Sequence, residues 1–128
     1  MPARSFYPNQ WNRQAGVHRM SGRFVTNATA NPTAITGAGY TIAYSATGVL
    51  TLTMDQKFSD YITAHAQIID NTADSSERLY IKSISANPGG TSNASMVLQG
   101  QSGAGTAAAL ETTVVLWSVD FVYLDGSL

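Results

Sequence analysis

The longest regular stretch of the chain runs from Thr112 to Leu124, TTVVLWSVDFVYL. Val115, Trp117, Val119, Phe121 and Tyr123 alternate with Leu116, Ser118, Asp120, Val122 and Leu124. The first set is wholly apolar or aromatic, and the second carries Ser118 and Asp120 at its middle. A period of two sends successive side chains to opposite faces, so the pattern predicts a strand with one face in a core. β-branched and aromatic residues dominate it, as suits a pleated, half-buried surface. Trp117 and Phe121 would each bury roughly 150–250 Å². This stretch is the expected central strand of the domain.

The same period recurs upstream. Arg19 to Asn27 predicts a first strand with Met20, Gly22, Phe24 and Thr26 on one side. Ala28 to Gly37 reads as a loop, with Asn31-Pro32 starting a turn. Gly39 to Thr47 and Val49 to Met54 predict a β-hairpin across the tight Thr47-Gly48 turn. Tyr40, Ile42 and Tyr44 share one face of it, and Leu50, Leu52 and Met54 point inward. Asp55 to Ile62 breaks the alternation. Phe58, Tyr61 and Ile62 stand at i, i+3 and i+4 and predict one short helical turn. Thr63 to Asp70, Glu77 to Ala86 and Ser95 to Gln101 predict further strands, parted by the polar turn Asn71 to Ser76 and by Asn87-Pro88-Gly89-Gly90. Gln101 to Ala109 is a loop of small residues. About seven short strands with turn residues between them predict an all-β fold, a single jelly-roll-like β-sandwich or barrel.

Residues 1–17 show neither period. Pro2 and Pro8 discourage a helix, yet the segment carries Phe6, Tyr7 and Trp11, which a merely disordered tail would lack. The expected organisation is an extended N-terminal arm over residues 1–17 and a β-sandwich domain over residues 18–128. The arm's aromatics either fold back on their own domain or meet a neighbour, since aromatics with arginine are enriched at interface hot spots.

Composition sharpens this picture. Of the 128 residues only 12% are charged, about half the usual share for a soluble domain. A surface of Ala, Thr, Ser and Gly suits a chain that hides part of itself in an assembly. Arg4, Arg13, Arg19 and Arg23 occupy the first 23 residues with no acid among them. Downstream, Lys57, Arg78 and Lys82 stand against eight acids. A basic, aromatic arm on an acidic body is built for another surface. Four spread arginines make a thin patch for nucleic acid, so the expected partner is protein and no nucleic acid. No stretch approaches the ~18 apolar residues of a membrane span, so no membrane partner is expected. Met1 to Gln10 has no apolar signal-peptide core.

Candidate chemistry is sparse. With no cysteine in the chain there is no thiol nucleophile or Cys-based metal site. His18 and His65 lack the close spacing of a metal pair and read as surface or packing residues. Asp55 and Asp60 bracket the predicted turn, while Asp70, Asp74 and Glu77 cluster around a loop where solvated carboxylates need no special role. Asp70, Asn71 and Asp74 lack the ligand spacing of an EF-hand. The Gly-rich stretches open no helix and precede no GK[ST], so they do not read as phosphate loops. Asp120 lies opposite the Trp117 face and either meets solvent or pairs with an arginine. No catalytic, cofactor or metal site is expected, and the chain reads as no enzyme.

The order of pieces resembles a family of small structural proteins of tailed bacteriophage virions. The hairpin GYTIAYSATGVLTLTM runs into DQKFSDYITAHAQI, then RLYIKSIS, a Gly/Ala-rich loop and TTVVLWSVDFVYL. Gly48, Val49, Leu50, Leu52, Phe58, Gly105 and Thr106 carry the likeness, which spans Arg23 to Tyr123, with Val49-Leu50 where members have a tyrosine. The resemblance implies a capsid decoration or cement protein on the outer capsid surface. Such proteins are commonly homotrimers that clamp adjacent major capsid protein subunits. The expected contact residues are Arg4, Phe6, Tyr7, Trp11, Arg13 and Arg19. A tail, head-fibre or connector subunit is the alternative, as is a glycan-binding module using Tyr40, Tyr44 and Tyr80.

Overall fold

The alternating runs become strands because a ladder pairs their backbone groups while one side-chain set enters a core. The computed structural model describes residues 16–69, 78–88, 92–101, 108, 110 and 113–123. Its strands are β1 (Val17–Val25), β2 (Thr33–Thr36), β3 (Tyr40–Ala46), β4 (Val49–Met54), β5 (Asp60–Ile69), β6 (Arg78–Ser85), β7 (Ser95–Gln101) and β8 (Val114–Val122). They form two four-stranded sheets, β2-β1-β8-β5 and β3-β4-β7-β6. Every pairing is antiparallel. The fold is all-β and sandwich-like.

The inner faces are those the alternation picks out. Met20 and Phe24 of β1 and Val115, Trp117, Val119 and Phe121 of β8 are buried from the first sheet. Leu50, Leu52 and Met54 of β4 and Met96 and Leu98 of β7 are buried from the second. Each such side chain contributes about 1.5–3 kcal/mol by leaving water. β8 is flanked by β1 and β5, so the predicted central strand is central in its sheet.

Two sequence expectations are corrected. The stretch Ala28 to Gly37 contains β2, a four-residue edge strand paired with β1 through Arg23–Thr36 and Val25–Thr33. It is too short to show a period, and Ala34 sits at φ 49° in a register shift of that pair. The helical turn at Asp55 to Ile62 does not form, and no helix occurs among the described residues. The backbone donors there are taken by distant strands. Asp55 N–H donates to the Gly39 carbonyl at 2.9 Å, Phe58 N–H to Ala86 at 3.0 Å and Ser59 N–H to Val122 at 2.8 Å. The segment is a crossover between sheets. Phe58 is fully buried, whereas Tyr61 and Ile62 begin β5 exposed.

Phe58 plugs one end of the sandwich. Its ring stacks on Phe121 with centroids 4.3 Å apart and planes at 8°. His18 stacks on Phe58 at 6.0 Å and meets Tyr123 at 5.4 Å. His18 is therefore a packing histidine, while His65 lies exposed on β5.

Candidate interaction surface

The outer face of the first sheet carries one organised polar row. Register places Arg19 of β1, Asp120 of β8 and Thr63 of β5 side by side. Arg19 Nε donates to Asp120 Oδ1 at 2.6 Å and Nη2 to Oδ2 at 2.9 Å. Thr63 Oγ1 donates to the same Oδ2 at 3.0 Å. The hydrogen bonds from Arg19 hold the Asp120 carboxyl below the usual carboxylate range against its partial desolvation, with Thr63 adding to the effect. Asp120 in turn raises Arg19 above its already high value.

Arg19 is 67% exposed, so the pair is screened and contributes about 0.3–1 kcal/mol despite its two-pronged geometry. A depressed carboxyl stabilises the fold above its unfolded pKa of ~3.9 and loses that effect as pH falls through the lower folded value. Asp120→Asn is expected to lower stability by about 0.3–1 kcal/mol at neutral pH. Urea unfolding at neutral pH and again below about pH 3 tests this; the gap between variant and wild type should narrow in acid.

The outer face of the second sheet is different. The burial alternation turns Thr41, Ala43, Thr51, Thr53, Ser95 and Val97 outward from β3, β4 and β7. Register aligns Thr41 with Thr53 and Ser95, and Ala43 with Thr51 and Val97. β6 continues these rows with Ser85 and Ser83. No charged side chain stands in either row.

The exposed large apolar residues lie on strands at sheet edges: Ile35 on β2, Tyr61, Ile62 and Ile69 on β5, and Tyr80 on β6. A strand edge with apolar side chains and few charges is a ready template for another chain. β5 carries no charge between Tyr61 and Ile69, although its register shift between Tyr61 and Thr63 interrupts the ladder.

Beside β2 the first sheet has a shallow notch lined by Ser21, Gly22, Arg23, Thr36, Gly37, Leu116 and Trp117. Tyr40 meets the Trp117 ring edge-on at 4.7 Å and 77°, and its hydroxyl donates to the Thr36 carbonyl at 3.0 Å. Trp117 Nε1 is buried with no hydrogen-bond partner. Gly22 makes room for all of this. A Cβ there would lie 2.6 Å from Tyr40 Oη, 2.8 Å from Trp117 Nε1 and 2.9 Å from the Thr36 carbonyl oxygen. Gly22→Ala is expected to cost about 1–3 kcal/mol by overpacking, read as a lower urea midpoint with an unchanged slope.

Arg4, Phe6, Tyr7, Trp11 and Arg13 lie outside the described residues, as do Asp70, Asn71, Asp74, Glu77, Gly105 and Thr106. Arg19 stands in β1 and engages its own sheet, so the arginine that Asp120 finds is its own chain's. Tyr40 and Tyr44 pack against the core while Tyr80 is exposed on β6, so the three tyrosines do not form one stacking face. Among the described residues no three His, Cys, Asp or Glu side chains gather as metal ligands, and no helix is long and apolar enough to cross a membrane. The uncharged second-sheet rows and the apolar edges are the surfaces that sequence reasoning missed. Alternation alone shows the outward Ser and Thr, but not that four strands set them side by side.

The class that this architecture defines is an antiparallel two-sheet sandwich whose second sheet carries two uncharged rows on its outer face. No family model, curated protein or solved structure matches the chain.

Proposed function

We propose that this chain is a structural subunit of a tailed-phage virion that decorates and stabilises the capsid by binding adjacent major capsid protein subunits. The supporting observation is a pair of uncharged rows on the outer face of the second sheet, Thr41–Thr53–Ser95 and Ala43–Thr51–Val97, continued by Ser85 and Ser83, with Arg78 and Lys82 exposed only on the edge strand β6. Such rows meet another protein surface without stranding buried charges, whose desolvation is costly. The exposed Tyr80 on β6 adds apolar contact at their margin. In this reading Arg4, Phe6, Tyr7, Trp11 and Arg13 extend the contact, and repetition over a symmetric shell converts modest affinity per chain into avidity. The isolated protein is a homotrimer or another closed assembly.

Native mass measurement and binding to undecorated shells test the proposal. A closed oligomer that saturates shells at a stoichiometry near that of the major subunit supports it. A monomer with no shell affinity refutes it. A tail, fibre or connector subunit is the competing reading, and it predicts only a few copies per particle.

A further inference from the structure

β2, β5, β3 and β6 lie at the edges of the two sheets. An edge strand turns alternate backbone N–H and C=O groups away from its neighbour, and an open edge invites another strand. β2, β3 and β6 are guarded. β2 is four residues long, with Ala34 at φ 49° in its register shift. On β3 the Tyr44 N–H already donates to Asn31 Oδ1 at 2.9 Å, beside the register shift between Tyr44 and Ala46. β6 carries exposed Arg78 and Lys82, and Lys82 falls inside its own register shift between Ile81 and Ser83. Short length, bulges and charge are the ordinary devices against edge pairing.

β5 lacks them over most of its length. It is ten residues long, and from Tyr61 to Ile69 it has no Asp, Glu, Lys, Arg or Pro. Its register shift lies between Tyr61 and Thr63, which leaves Thr63 to Ile69 in unbroken pairing with β8. β6 runs near β5 in the other sheet, yet no backbone hydrogen bond joins the two among the described residues. Thr63, His65, Gln67 and Ile69 share the outer face with Asp120 and Ser118 and are all exposed.

The edge is complementary to itself. Two copies related by a two-fold axis pair antiparallel, the sense of every pairing in both sheets. An axis at Ala66 uses the whole unbroken span and leaves the shift at Ile62 outside it. Thr63 then faces the partner's Ile69, and His65 faces the partner's Gln67. Alternation brings exposed residues against exposed ones, and half-buried Ala64 against the partner's Ile68. No like charges stand opposite each other, which a charged edge could not avoid so simply.

We infer that β5 pairs with β5 of a second copy about a two-fold axis at Ala66, joining the two first sheets into one. The pairing stands whether or not the shell reading does.

Native mass measurement and amide exchange of the full-length protein test it. The contact is small, so association is expected between about 1 and 100 μM. Over that range the mass should pass from one chain to two, and the amides from Thr63 to Ile69 should exchange about tenfold more slowly. His65→Lys/Gln67→Lys sets lysine opposite lysine at both outer pairs and should weaken association about tenfold or more. His65→Lys/Gln67→Glu sets opposite charges there and should restore it. Both positions are exposed, so each variant should melt like wild type at low concentration, which separates lost pairing from lost fold. A single chain at about 100 μM would overturn the inference. A ring of three would overturn it too, as would a dimer indifferent to both double variants, since another surface would then hold the copies. A ring of three that coats shells would sink this pairing and keep the capsid reading; a two-fold dimer without shell affinity would do the reverse.

Discussion

Phe58→Ala is expected to destabilise the protein by about 3–5 kcal/mol, the usual cost of emptying a fully buried aromatic site. Phe58 is completely buried and stacks on Phe121 at 4.3 Å. It belongs to the crossover from β4 to β5, whose backbone is already tied to Ala86 and Val122 by the Phe58 and Ser59 N–H groups. That backbone cannot collapse freely into the void, so little of the loss is recovered. For a domain of this size the melting temperature should fall by on the order of 10–20 °C. Phe58→Leu should retain most of the apolar transfer and lose the ring stacking, for a smaller drop of about 1–2 kcal/mol. Calorimetry of the two variants separates filling from stacking. If Phe58→Ala melted like wild type, the sandwich end would not be closed by this ring.

Gly48→Ala is the second large effect, expected at about 2–5 kcal/mol from backbone strain and collision together. Gly48 turns the β3–β4 hairpin at φ 71°, a conformation L residues resist. A Cβ would also collide with the Ala108 carbonyl oxygen and lie 2.8 Å from Gln99 Nε2. The neighbours are held in place, since Gly100 N–H donates to the Gly48 carbonyl at 2.8 Å and Ala108 N–H to the Gly100 carbonyl at 3.0 Å. Gly48→Asn distinguishes the two causes. Asparagine tolerates this backbone region, so it relieves the strain but not the collision. It should destabilise nearly as much as alanine in urea unfolding. Recovery to wild-type stability with asparagine would show that the turn conformation alone demands glycine.

The strands were legible wherever one face is buried. In β4, Leu50, Leu52 and Met54 alternate with Val49, Thr51 and Thr53, and the structure buries the first three. β8 obeys the same rule from Val115 to Phe121. β2 was not legible, because four exposed residues cannot show a period. Phe58, Tyr61 and Ile62 were misleading for a different reason. Their spacing suits a helix, but long-range hydrogen bonds from Asp55, Phe58 and Ser59 outcompete local ones in a segment too short to nucleate. For Asp120 the sequence offered solvent or an arginine; register supplies Arg19, a hundred and one positions away in the chain.

What the amino-acid order determined by itself is local: which side chains face a core, where glycine and proline interrupt, and that charge is scarce. Those follow from a two-residue period and from turn chemistry, both readable within a short window. Beyond the β3–β4 hairpin, only the tertiary structure decided which strands are neighbours. That choice creates the Arg19–Asp120–Thr63 row and the uncharged rows of the second sheet. Each joins residues far apart in sequence, and antiparallel register, not composition, sets which of them meet.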